Sequence, residues 1–150
     1  MWFMNKIANP FVRFILRSPF HKMMSSSVLL ITCRGRKSGK AYTLPVNYVQ
    51  VGRAIYIIPG MPEQKTWWRN LCGGASVALL LRGSTVSGSA LVLQGDVEAV
   101  SEALSHYLTR FPPSAKQHGV RLEADGSLNP DDLSRAAQTA TVVRVQLDPA

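Results

Sequence analysis

The chain has 150 residues, 46% of them hydrophobic, and a formal net charge of +8. That length supplies one ordinary globular core and leaves no room for a separate catalytic domain, so one domain over residues 1–150 is expected. The cationic excess favours an anionic partner, which could be a phosphorylated cofactor, nucleic acid or an acidic membrane surface. Cys33 and Cys72 sit in no CxxC spacing and no signal peptide is evident, so a reduced, cytoplasmic protein is the expectation. His21, His106 and His118 fall in different segments without metal-ligand spacing, and no metal is expected. The apolar runs fall short of the ~20 residues that a membrane-spanning helix needs.

Residues 1–24 mix Trp2, Phe3, Ile7, Phe11, Phe14, Ile15 and Phe20 with Lys6, Arg13, Arg17, His21 and Lys22, and Pro10 and Pro19 cut the segment into short helical pieces. Such a basic amphipathic segment suits either peripheral association with a membrane surface or packing against the domain. Val28–Arg34 then reads as a strand, Gly35–Lys40 as a basic turn, and Thr43–Val51 as the returning strand. Gly52-Arg53 turns the chain into a third strand, Ala54–Pro59. Pro62 opens a short helix on which Trp67 and Leu71, and Trp68 and Cys72, lie one turn apart, and Gly73-Gly74 ends it. Ser76–Arg82 and Thr85–Gln94 form a second hairpin around Gly83-Ser84. Asp96 caps a helix running to about Phe111, where Pro112-Pro113 stops it. Ser114–Ser127 is a polar connection, open to a mobile or lid role. Asn129-Pro130 starts another short helix, and Thr141–Leu147 is a closing strand.

Six strands, mostly in antiparallel hairpins with helices between them, predict an α+β chain that is mainly antiparallel β: a closed or partly closed barrel over residues 28–147.

Two segments carry chemistry. In Gly35-Arg36-Lys37-Ser38-Gly39-Lys40 the glycines let backbone N–H groups converge while three cations surround them, which makes an anion cradle or a solvated basic hairpin tip. The run is one residue too short between its glycines for a P-loop, and Ala41 and a strand follow it. The second segment runs from Pro59 to Leu71. Adjacent helical positions diverge by about 100°, so Trp67 and Trp68 are either both core, or one is core and the other lines a cavity.

The order of strand, GRKSGK turn, TLPVNY strand, strand ending in Pro-Gly and KTWWRNL resembles the deazaflavin (F420)-dependent nitroreductase family, which includes related quinone reductases. The resemblance covers roughly Val28 to Leu81. It implies a six-stranded split β-barrel of the FMN-binding-like type, and coenzyme F420 as cofactor with FMN or FAD as alternatives. It also implies an oxidoreductase moving a hydride to a small-molecule electron acceptor such as a quinone, an enone or a nitro compound. On this chain Arg36, Lys37 and Ser38 would hold the cofactor phosphate and anionic tail. Ile58, Pro59, Gly60 and Met61, with Lys65, Thr66, Trp67, Trp68 and Asn70, would border the ring and its side chain, and Thr43 and Pro45 would line the floor. Tyr42 stands where many relatives have an arginine, a role Lys40 can take over, and the substrate-side tyrosines of relatives have no counterpart after Tyr107. No catalytic acid or base is assigned.

Competing readings are a same-fold FMN, FAD or hydrophobic-ligand binder without F420 activity, and a basic membrane-surface or nucleic-acid binding protein. The tryptophan pair weighs against nucleic acid as the partner. A barrel of this size commonly covers an exposed sheet face with a second copy, and a homodimer is expected on that ground.

Overall fold

The computed structural model describes residues 27–60, 62 and 66–149. The amphipathic segment 1–24 and its membrane-or-packing alternative lie outside the described residues, as do Met61 and Lys65. Among the described residues no helix is long and apolar enough to cross a membrane.

Among the described residues seven antiparallel strands form one sheet: β1 (Val28–Arg34), β2 (Ala41–Asn47), β3 (Val49–Val51), β4 (Ala54–Ile57), β5 (Ala75–Leu81), β6 (Ser84–Leu93) and β7 (Val142–Leu147). Their order is β2-β1-β5-β6-β7-β4-β3. Six strands were expected, and the difference is one corner. The predicted strand Thr43–Val51 breaks at Tyr48, whose N–H donates to Ser27 O at 3.0 Å. Tyr48 therefore separates β2, at one end of the sheet, from β3, at the other. Consecutive Cα atoms are 3.8 Å apart, so a single intervening residue forces the two ends together and the sheet must curl into a barrel. β2 is an end strand paired only with β1. That position tolerates Pro45, which has no N–H to give to a second neighbour.

Alternation sorts the side chains. Leu29, Ile31 and Cys33 of β1 point into the barrel and meet Ile55, Ile57, Val77, Leu79, Val143 and Val145. The outward side of β4 and β7, including Tyr56 and Val142, is covered by helix α1 (Val97–Arg110), whose buried residues are Val100, Ala103, Leu104, Tyr107 and Leu108. That i, i+3, i+4 spacing is the apolar stripe of a surface helix. Asp96 caps α1 by accepting the Ala99 N–H at 3.1 Å. Asn129 does the same for helix α2 (Pro130–Ala137), accepting from Asp132 N at 3.0 Å.

The connection before α2 is more ordered than its polar composition suggested. It holds a 3-10 helix at Pro112–His118 and a bridge between Leu122 and Leu128. Asp132, only 1% exposed, takes Arg121 Nε at 2.7 Å and Arg135 Nη2 at 2.8 Å. The arginine hydrogen bonds, Arg121 foremost, hold its carboxyl well below the usual carboxylate range.

The β5–β6 hairpin turns on Arg82 and Gly83, both with positive φ (48° and 82°), as a two-residue I′-type turn requires. Arg82 bears this left-handed backbone while its guanidinium donates to Gln50 Oε1 at 2.6 Å and lies 5.7 Å from the Tyr48 ring centroid. It thereby ties the hairpin to the barrel seam.

Gly88 on β6 is needed for a different reason. A Cβ there would lie 2.6 Å from Gln146 O and 2.8 Å from Val145 Cγ1. Because the closer obstruction is backbone, Gly88→Ala is expected to cost about 1–3 kcal/mol by overpacking. Thermal denaturation followed by circular dichroism should show the loss, and an unchanged midpoint would mean that β6 and β7 separate freely.

Candidate functional site at the junction of the basic loop and the tryptophan turn

The β1–β2 loop is built around Gly35 and Gly39. Gly39 N–H donates to Gly35 O at 2.9 Å and Gly35 N–H to Lys40 O at 2.9 Å. Ser38 Oγ accepts from Lys40 N–H at 3.2 Å, and a Cβ on Gly35 would sit 2.6 Å from that oxygen. Gly39 has φ +69°, the left-handed conformation that glycine adopts at least cost. Four of the six loop N–H groups are thus engaged, those of Gly35, Gly39 and Lys40 within the loop and that of Arg36 by Asn70 Oδ1 at 3.0 Å. The N–H groups of Lys37 and Ser38 have no acceptor among the described residues. They are adjacent, at the exposed tip.

The tryptophan segment is a five-residue 3-10 helix, Trp67–Leu71. Thr66, exposed, begins it by accepting Arg69 N–H at 3.0 Å. Trp68 and Leu71 enter the barrel core beside Cys33 and Leu44, and Trp68 Nε1 donates to Pro62 O at 3.1 Å. Trp67 is only partly buried against that core. Of the two sequence alternatives, the arrangement is one tryptophan in the core and its neighbour at the rim.

Asn70 joins the two segments. Its Oδ1 accepts from Arg36 N–H, and its Nδ2 donates to Trp67 O at 3.1 Å and to the Tyr42 hydroxyl. Arg36 adds a second link, Nη1 donating to Arg69 O at 3.1 Å. The loop and the turn, 33 and 34 positions apart in these bonds, form one unit.

Around it stand Arg34, Arg36, Lys37, Lys40 and Arg69, all exposed. None has an ion pair with a described carboxylate, the ion pairs of the described residues being those of Asp132. Arg69 lies 5.4 Å from the Trp68 ring centroid, and Arg34 Nη1 donates to Gly39 O at 3.1 Å. Such a cluster of cations, without ion pairs among the described residues and beside two N–H donors without a described acceptor, fits a phosphate-bearing ligand.

The other expected site residues are placed more loosely. Ile58 is half-buried and packs on the helix side of the sheet, Pro59 is buried, and Gly60 is exposed, with no atom of the described residues within 4 Å of where a Cβ would stand. Thr43 and Pro45 lie on the face of β2 opposite Tyr42, Leu44 and Val46, by strand alternation. Thr43 Oγ1 there is 2.7 Å from Thr32 Oγ1.

Two participants were not among the expected site residues, Tyr42 having stood only as a departure from the family pattern. Tyr42 pairs in register with Cys33, so its hydroxyl meets the buried thiol on one side and Asn70 on the other. The signal was available by counting back equally from the two ends of the hairpin loop. Burial pushes the Cys33 thiol up, and burial, with Cys33 adding to it, pushes Tyr42 up to about 12. A raised tyrosine is neutral in the fold when it would already be ionised in the unfolded chain. Its stabilising share is therefore complete below about pH 10 and lost as pH rises towards about 12. Thermal melts across that interval are expected to fall less steeply for Tyr42→Phe than for the wild type. Parallel curves would mean that Tyr42 ionises as it does in water.

The sequence profile of the F420H2-dependent quinone reductases matches residues 18–118, which include the loop, the turn and β1 to β6. The chain belongs to this family. As an F420H2-dependent quinone reductase family member it is an oxidoreductase whose cofactor is coenzyme F420. Its fold is that of solved split-barrel structures. One is the F420-H2 dependent reductase FDR-A, at 16% identity and TM-score 0.55 over 79% of this chain and 93% of that one. Another is described as a domain-swapped dimer, at 16% identity and TM-score 0.59 over 93% of this chain and 97% of that one. At such identities the likeness concerns the fold. No curated protein matches the chain.

Proposed function

We propose that the chain reduces a small quinone-like acceptor with F420H2, binding the cofactor's phosphate end at the Lys37–Ser38 tip and its ring beside Trp67, Pro59 and Gly60. The observation that carries this reading is the union of the basic loop with the tryptophan turn, which sets cations without a described carboxylate partner and two N–H donors without a described acceptor beside a half-buried aromatic rim. In this reading Arg36, Lys37 and Ser38 grip the anionic end, Thr66 and Trp67 shape the ring site, and Gly60, without a side chain, lets the ring's edge approach the backbone. Trp68 supports the rim from within the barrel. Met61 and Lys65 lie outside the described residues, and Thr43 and Pro45, on the opposite face of β2 from Tyr42, stand apart from this grip.

Reduction of a quinone to a quinol needs a hydride and a proton. Bound F420H2 supplies the hydride. The chain's share is placement, which converts an encounter into an oriented contact. Burial holds Tyr42 and Cys33, the described acids of the junction, above their ordinary range, and in this reading water delivers the proton. The fold neighbour described as a domain-swapped dimer supports a homodimer, and the cofactor chemistry supports a cytoplasmic site of action.

The test is anaerobic turnover, following the reappearance of oxidised F420 absorbance with a quinone, an enone and a nitroaromatic in parallel. Preferred consumption of the quinone is expected. Turnover with the nitroaromatic alone would move the acceptor class, and turnover with none would remove the reductase assignment from these acceptors.

A further inference from the structure

Asn70 was expected to touch the cofactor, yet its polar atoms are already committed. Both Nδ2 hydrogens have acceptors, Trp67 O and the Tyr42 hydroxyl, and Oδ1 already accepts the Arg36 N–H. What the amide has left is acceptor capacity on Oδ1, which an anionic ligand does not seek. We infer that Asn70 is a positioning residue: it pins the basic loop to the 3-10 turn and so aims Lys37, Ser38 and the neighbouring cations at a phosphate-bearing ligand without touching it. This rests on the function proposed above for its ligand, but the pin itself does not.

The physical case follows from what the pin replaces. A six-residue hairpin loop carrying Arg36, Lys37 and Lys40 repels itself and would splay into water if held only at its base. The engaged Arg36 N–H fixes the backbone immediately before Lys37 N and Ser38 N, the two donors without an acceptor among the described residues. The Tyr42 hydroxyl fixes the same amide from the returning strand. Because Asn70 sits two residues from Trp68, which is anchored in the barrel core, the loop takes its position from the core. Preorganised donors hold an anion better than donors that must be ordered on binding. A neutral residue thereby controls how many charges the ligand meets at once.

That consequence separates positioning from contact. In amide hydrogen exchange of the cofactor-free protein, Asn70→Ala should speed exchange at Arg36 by roughly tenfold or more while β1 and β5 keep their protection. In F420 titrations at several salt concentrations, Asn70→Ala should weaken binding roughly tenfold, the worth of about one charge-assisted hydrogen bond. It should also flatten the salt dependence as Lys37→Ala does, although no charge is removed. Adding Lys37→Ala to Asn70→Ala should then cost much less than it costs the wild type. An unchanged salt dependence with additive losses would make Asn70 a direct ligand and overturn the inference. So would an Arg36 amide that exchanges equally fast in wild type and variant. Failure of the wild type to bind F420, with Arg36 protected only when Asn70 is present, would instead overturn the proposed ligand and keep the pin.

Discussion

Replacing Arg36 and Lys37 together with alanine is expected to weaken F420 binding by roughly a hundredfold, on the footing of two charge-assisted contacts at the low end of about 1.5–3 kcal/mol each. Both side chains are exposed, so neither supports a core. Arg36 does donate to Arg69 O, a bond worth about 1 kcal/mol, and its loss lowers the melting temperature by about 2–4 °C in a chain of this size. Lys37→Ala makes the cleaner probe, because no described partner is lost with it. Its melting temperature should match the wild type while affinity falls by roughly tenfold. Unaltered affinity in both variants would make the loop a solvated hairpin tip, the plainer of its two sequence readings.

The two tryptophans should fail in opposite ways. Trp68 is 6% exposed and lies among Leu71, Cys33 and Leu44. Trp68→Ala leaves a cavity of indole size in the barrel and is expected to cost about 3–5 kcal/mol, a large part of the 5–15 kcal/mol that such a domain has in total. Trp68→Phe keeps most of the bulk and loses the Nε1 bond to Pro62 O, so its cost should be nearer 1 kcal/mol plus a smaller cavity. Trp67→Ala removes a half-buried rim residue. It should reduce F420 affinity more than stability. Denaturant titration and cofactor titration on the same three variants separate these outcomes, and a Trp67 variant that unfolds while the Trp68 variant stands would exchange the assigned roles.

The barrel and the unit that carries its chemistry differ in how plainly the sequence announces them. The hairpin turn at Gly52-Arg53, the Asp96 and Asn129 caps and the Val100, Leu104, Tyr107, Leu108 stripe are local signals, and local chemistry decides them. The second hairpin turns at Arg82-Gly83, one residue before the expected Gly83-Ser84, because Leu81 pairs with Ser84. The break at Tyr48 is not local. A continuous β-rich run is compatible with one long strand, and only closure of the sheet demands a corner there. The same holds for the junction. Arg36 and Asn70 are each legible as polar residues in a suggestive motif, but their bond spans 34 positions, and no spacing rule reports it. Tyr42 shows the cost of reading by family pattern alone. As a departure from an arginine it looked like a missing ligand, whereas the register places it on the Asn70 amide. The Ser114–Ser127 stretch reads as a polar connection because its tie to the domain lies outside it: Asp132, in helix α2 and 11 positions after Arg121, gathers Arg121 back.

The most direct test of the account is an anaerobic equilibrium titration of the full chain with F420, FMN and FAD, following tryptophan fluorescence and cofactor absorbance. The loop and turn predict saturable quenching by F420, weakened by rising salt and by Lys37→Ala. No quenching by F420, or F420 binding indifferent to both salt and Lys37, would contradict the assignment of this junction as the cofactor's phosphate end.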